Sequence, residues 1–261
     1  SAVEEVINLL LRPGDTYRGF VSATGSAGTI AAGDYLKQRF PTSKIVASEA
    51  QECPTLLMNG FGAHRIEGIG DKHVPWIHNA RNLDFVTAIN DQAVVNLSRL
   101  FNESAGHQHL IDNGVDESLV NQLDLLGFSG ISNLLSAIKF AKYNELTSQD
   151  IVVTVLTDSM ELYRSRLTEM HEQYGKYTAA DAQADDARYL KGQPIDFMQE
   201  LSYYDRKRIH NLKYYTWVEQ QGKTYEEIQA QWYDPDYWLE IQAQETEIDA
   251  RIEEFNRAAA A

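Results

Sequence analysis

Apolar residues recur at helical spacing over 2–11, an amphipathic helix that Arg12-Pro-Gly-Asp15 brings to an end. From residue 17 the pattern alternates. Apolar runs over 17–23, 44–48, 85–89 and 151–156 read as strands, and the last is a β-branched run of the kind buried on both sheet faces. Helical patterns lie between them, over 28–40 (stopped by Pro41), 92–101 (opened by the N-cap pair Asn90-Asp91), 116–126 and 130–143, and again from Ser159 to about 175. The stretch 49–81 is loop-rich in Gly, His and Asn. Alternating strand and helix over 17–175 predicts an α/β unit with a largely parallel sheet, whose ligands sit beyond the carboxyl ends of the strands.

The pattern changes after Thr178. No strand-like run is evident, and Tyr and Trp cluster at Tyr203-Tyr204, Tyr214-Tyr215-Thr-Trp217, Trp232-Tyr233 and Tyr237-Trp238. Thr224-Tyr-Glu-Glu227 is a capping box, and Asp234-Pro235 opens a last helix to about Arg257, leaving 258–261 as a frayed end. Residues 1–175 therefore read as an α/β unit and 176–261 as a helical extension that packs aromatic faces onto it or onto another subunit.

Composition narrows the partners. The chain has 261 residues, 43% of them hydrophobic, which suffices for a packed core. A net charge of −15 argues against nucleic acid and anionic membrane surfaces. The single cysteine, Cys53, rules out an internal disulfide and fits a reducing cytoplasm; it reads as a packed small residue. No apolar run approaches ~18 residues, so no transmembrane helix is expected, and a secretory leader pattern is absent. The sequence starts at Ser1 rather than Met, as a processed or trimmed chain would. His107-Gln-His109 lacks a third ligand at useful spacing, so it reads as a surface loop and no metal is expected.

Candidate chemistry lies at two strand ends. Ser22-Ala-Thr-Gly-Ser-Ala-Gly-Thr29 is a small-residue loop between a strand and a helix, where backbone N–H groups converge on a phosphate. Thr157-Asp-Ser159 follows the strand at 151–156, and two strand ends of one sheet can face one ligand.

Four segments in order then carry a resemblance: Ala23-Thr-Gly-Ser-Ala-Gly-Thr29 with Tyr35-Leu-Lys37; His64-Arg-Ile-Glu-Gly-Ile-Gly70 with Val74-Pro75; Gly130-Ile-Ser132; and Val153-Thr-Val-Leu-Thr-Asp-Ser159 with Glu161 and Tyr163. Over about 17–167 the chain resembles the C-terminal half of the cysteine synthase / cystathionine β-synthase family, fold-type II pyridoxal-phosphate enzymes in the tryptophan synthase β superfamily. Glu49 stands where that family has a Val-Glu-Pro turn. The resemblance implies a three-layer αβα fold, incomplete in this chain, and pyridoxal 5'-phosphate as cofactor. It implies that Thr24, Gly25, Ser26, Ala27, Gly28 and Thr29 hold the phosphate and that Ser159 faces the pyridine nitrogen, with Asp158 as its rival or as cap of the next helix. Gly68 and Gly70 would lie along the ring, and Ile69 and Asp71 would border the amino-acid substrate. A hydroxyl at the ring nitrogen gives a weaker electron sink, which suits β-elimination and β-replacement.

The match has departures: Thr157-Asp-Ser-Met160 for Pro-Asp-Ser-Gly, Ser26-Ala27 for Thr-Gly, and Asn133-Leu134 for Ser-Gly. The family's Schiff-base lysine and its Ser/Thr-Gly-Asn substrate loop lie in the N-terminal half. Lys37, Lys44, Lys72, Lys139 and Lys142 stand in other contexts, so no catalytic residue is assigned within this chain. The expected enzyme is a lyase or β-replacement synthase, completed by a partner chain with the first half (from cleavage or a separate gene), in an oligomer of the assembled enzyme. Two alternatives stand: a catalytically inactive regulatory or scaffold subunit, and a nucleotide-dependent dehydrogenase with Glu49 as ribose ligand. His64, Arg65, Lys72 and His73 are further loop candidates, for positioning or for reaching substrate.

Overall fold

The computed structural model describes residues 2–259; Ser1, Ala260 and Ala261, and with them part of the expected frayed end, lie outside the described residues, while Ala258 and Ala259 are helical. A five-stranded sheet organises the chain: β1 (Thr16–Ala23), β2 (Lys44–Ala50), β3 (Phe85–Ile89), β4 (Asp150–Thr154) and β5 (Met198–Glu200), in the order β4-β1-β2-β3-β5. The first four strands are parallel, as the alternating pattern predicts, and β5 runs antiparallel to β3.

Period-two alternation sends successive side chains to opposite faces. Val21, Val46 and Phe85 face Phe140 on the helix Phe128–Tyr143, with the rings of Phe85 and Phe140 meeting edge-on at 5.3 Å. Phe20 joins Ile7 and Leu36 from the helices Ala2–Leu10 and Ala31–Arg39 on the other face. Ile45, Ala47 and Val86 share that second face with Ile209, from the helix Tyr203–Asn211. Helices thus cover both faces, and the extension contributes to one of them.

Three expectations need correction. The residues after 178 do carry a strand: β5 pairs Phe85 with Glu200 and Thr87 with Met198. Three residues between Phe197 and Leu201 are too few to show a period of their own, and the open edge of β3 selects them. Second, β4 is half-buried rather than buried on both faces, because it is an edge strand paired only with β1. Third, 116–126 forms only the short turns Glu117–Val120 and Leu123–Leu125. The helix at 91–102 is as expected, with the Asn90 side chain accepting from the Gln92 and Ala93 amides.

The extension is anchored through carbonyl groups. Lys139 donates to Ala88 and Asp196 carbonyls, Lys142 to that of Gln193, and Trp217 Nε1 to that of Val74 at 2.9 Å. Part of the aromatic character is therefore packing onto the segment 74–82. Lys213 is fully buried between the Trp76 and Trp238 rings and donates to the Trp76 carbonyl and Gln231 Oε1. With no carboxylate among these contacts, burial lowers its pKa to about 7.

Candidate functional site

β1 and β4 are parallel neighbours, so their carboxyl ends open on one edge of the sheet. The loop 24–29 leaves β1 there. Its first residue is fixed twice: the Thr24 amide donates to the Ser48 carbonyl at 3.0 Å, and its carbonyl accepts from the Gly70 amide at 2.8 Å. The helix expected from residue 28 starts only at Ala31, and Ala27 adopts a left-handed φ of 66°. Among the described residues, no intramolecular acceptor takes the backbone N–H of Gly25, Ser26, Ala27, Gly28 or Thr29. Five adjacent amides of unspent capacity, next to a helix start, are groups that could hold an anion.

The segment 64–70 runs past this loop. Ile66 and Ile69 bury their side chains in the core, so Ile69 borders the edge with its backbone alone. Gly68 and Gly70 have φ of 82° and 83°, which a side chain would strain. A Cβ on Gly25 would meet the Gly68 carbonyl at 3.8 Å, and a Cβ on Gly70 would overlap the His64 ring. Arg65 ties the segment to the helix Asp91–Asn102: its amide donates to Asp91 Oδ2 at 2.8 Å and its guanidinium to Gln92 Oε1 at 2.9 Å. Asp71 pairs with His73 at 2.9 Å, its carbonyl accepts from Thr55, and Lys72 is exposed.

Asp158 closes the far side of Gly68, where a Cβ would lie 3.5 Å from its Oδ2. Its carboxylate accepts from Ser129 Oγ at 3.0 Å and from Tyr163 OH at 2.5 Å, and its carbonyl from the Gly127 amide. Burial and this carboxylate raise the Tyr163 pKa. Asp158 therefore does not cap the following helix; it joins the start of the helix Phe128–Tyr143 to the end of β4. Ser159 stands at the head of the turn Met160–Tyr163 and makes no side-chain cap bond; its half-buried hydroxyl has no partner among the described residues. Gly68 backbone thus lies between the loop 24–29 and the turn 158–159. Ser129 is not among the residues the motifs single out, although a Ser two residues past Gly127 at a helix start is a readable signal. Asn133, 2% exposed with an unpartnered Oδ1, also reaches this region through its bond to the Val155 carbonyl.

The other candidates are otherwise engaged. Glu49, at the end of β2, is 2% exposed, and its oxygens accept from the Leu56 and Leu57 amides at 2.9 Å each. It is sealed away from any ribose, which removes the feature that favoured a dehydrogenase. Burial raises its pKa to about 7. Lys37 and Lys44 pair with Asp84, and Lys139 with Asp196. His107 and His109 lie on the helix Ser104–Asp112 rather than in a loop, bonded to the Phe101 carbonyl and Asp186. No metal-holding cluster occurs among the described residues. Cys53 is buried. Among the described residues no helix is long and apolar enough to cross a membrane. A cavity of about 600 Å³ bounded by Lys139 and Arg188 involves none of the β1 or β4 end residues.

No family model matches the chain. It is 28% identical over 153 residues to a cysteine synthase of Staphylococcus aureus, covering 58% of this chain and 43% of that protein. A cysteine synthase B of Campylobacter jejuni is 27% identical over 147 residues, covering 56% and 42%. Among solved structures, the O-acetyl serine sulfhydrylase isoform 3 of Entamoeba histolytica superposes with a TM-score of 0.52 at 26% identity, over 72% of this chain and 48% of that one. The chain spans about half the length of these relatives, and the similarity is a family-level match to cysteine synthases, the group of fold-type II pyridoxal-phosphate enzymes that the sequence motifs resemble.

Proposed function

We propose that residues 2–175 are the phosphate- and ring-holding part of a pyridoxal-phosphate enzyme that acts on an amino acid, a lyase or β-replacement synthase, with 176–261 as its extension. The observation that carries the reading is the edge shared by β1 and β4, where the Gly68 backbone lies between Gly25, the first of five unbonded amides, and Asp158, the neighbour of the unpartnered Ser159 hydroxyl. These groups fit the cofactor. The amides of Gly25, Ser26, Ala27, Gly28 and Thr29, with the Ser26 and Thr29 hydroxyls, would take the phosphate without a lysine. Ser159 would meet the pyridine nitrogen as a neutral hydroxyl. The cofactor, when bound, supplies the electron sink for chemistry at the amino acid's α- and β-carbons.

The chain's own part is binding and orientation. Gly68 and Gly70 present backbone where a side chain would block the ring. Arg65, through Asp91 and Gln92, holds that backbone in place. Asp158, fixed by Ser129 and Tyr163, sets the turn that aims Ser159. Asp71 and the Ile69 backbone border the substrate. The lysine that carries the cofactor and moves the α-proton would come from outside residues 1–261, on a partner with the first half of the enzyme, in the cytoplasm.

A second reading, an inactive regulatory or scaffold subunit, is favoured by the engagement of Lys37, Lys44 and Lys139 in ion pairs away from this edge. Intact mass and visible absorbance of the protein as isolated separate the two. A lysine-bearing second chain with cofactor absorbance that Ser159→Asp shifts supports the enzyme. A single colourless chain that takes up no pyridoxal phosphate supports the scaffold.

A further inference from the structure

The helix Glu245–Ala259 has no buried residue. Ile248, Ile252 and Phe255 recur at i, i+4 and i+7, so they form one apolar stripe, and Phe255 is 71% exposed. The rest of the helix carries five carboxylates and two arginines. This chain's own body does not cover the stripe, although the preceding helix, Tyr237–Ala243, is tied to the body by a hydrogen bond from Gln38 to Gln242.

Elsewhere on the extension the helices Tyr203–Asn211 and Tyr225–Tyr233 and the turn Tyr214–Val218 enclose an open groove of about 610 Å³. Tyr204, Tyr214, Tyr215 and Tyr225 line it, and Tyr204 is 82% exposed. Lys207 and Arg208 supply its charge, and no carboxylate stands among the described residues that line it. That is a strong local departure in a chain of net charge −15. Lys207 Nζ is buried with no hydrogen-bond acceptor, 4.6 Å from the Trp232 ring centroid and 4.4 Å from that of Tyr233. Tyrosine and arginine without acids is the composition of an interface core facing an acidic partner.

We propose that the two surfaces fit each other between copies: the helix Glu245–Ala259 of one chain docks its Ile248–Ile252–Phe255 stripe in the tyrosine groove of a second copy. The charges agree, acidic helix to cationic groove. So does the size, because a groove of this volume takes the side chains of one helix face and leaves its polar face in water. If each copy gives its helix and receives the other's, the contact is made twice and closes as a two-fold dimer. The inference is independent of what the β1–β4 edge binds.

The test is sedimentation velocity of the full chain, with circular dichroism to confirm folding. Ile252→Asp/Phe255→Asp alters only exposed helix positions, and Tyr204→Asp/Tyr215→Asp only exposed groove positions. Each double variant is expected to weaken the dimer about 30-fold or more. An equimolar mixture of the two is expected to dimerise better than either alone, since one intact helix then meets one intact groove. Raising the salt concentration weakens the wild-type dimer. A wild-type monomer overturns the proposal. So does a dimer that the helix variant breaks and the groove variant leaves intact, because the helix would then pair with another helix.

Discussion

Two neighbouring strand ends of the same sheet have opposite fates. At the end of β2, Glu49 is a buried acid whose oxygens are both taken by the Leu56 and Leu57 amides. Beyond β1, the loop 24–29 carries no charge and leaves five amides unbonded. The end with the charged residue is sealed; the end with only small neutral residues is open. A candidate site is therefore marked by unspent hydrogen-bonding capacity more than by the presence of a titratable group.

The sharpest way to break this contrast is to remove the sealed group. Glu49→Ala leaves two buried amides unsatisfied and is expected to cost about 3 kcal/mol or more in chemical denaturation. The affinity of the open end for phosphate should hardly change. If Glu49→Ala abolishes phosphate binding while the fold survives, the two ends are not distinct.

Gly70→Ala follows in size. A methyl there overlaps the His64 ring and must adopt a positive φ, so a stability loss of about 1–3 kcal/mol is expected. Thr24 would lose its clamp, and phosphate affinity should fall with stability.

Titration provides the next contrast. Glu49 has a folded pKa raised to about 7, so its contribution is fully present below its unfolded pKa and is lost as pH rises through 7. The positive charge of Arg208 favours the ionised carboxylate and moderates this loss. Glu49→Gln should flatten the stability curve between about pH 4.5 and 7. Lys213 has the opposite sign. Its folded pKa is depressed to about 7, so stability is greatest above its unfolded pKa and declines as pH falls towards 7. Lys213→Met should remove that slope, read by the near-ultraviolet signal of Trp76 and Trp238.

Smaller effects are expected at the open end. Ser159→Ala removes a hydroxyl with no partner, so stability should stay within about 0.5 kcal/mol, while the absorbance of bound cofactor should shift. Ala27→Gly relieves a left-handed alanine and is expected to gain a few tenths to about 1 kcal/mol.

The α/β order was legible because strand and helix periods alternate cleanly, and β3 ends with the cap Asn90 at the expected place. What local pattern could not reveal depended on neighbours. β5 exists because β3 has an open edge, and β4 is half-buried because it pairs with one strand. Thr24 and Ser159 were readable as strand-end residues. The Asp158 network was not, because Ser129 and Tyr163 approach it from other elements. Lys213 stands between Leu212 and the aromatic run Tyr214-Tyr215-Thr-Trp217, but Trp76 and Trp238, which enclose it, come from distant parts of the sequence.

In a 1H–15N correlation experiment, titration with pyridoxal phosphate should move the amides of Gly25, Ser26, Ala27, Gly28 and Thr29 most, with the unphosphorylated pyridoxal moving them far less. If those five resonances stay fixed while others shift, or if pyridoxal serves as well as its phosphate, the β1 end is not the cradle.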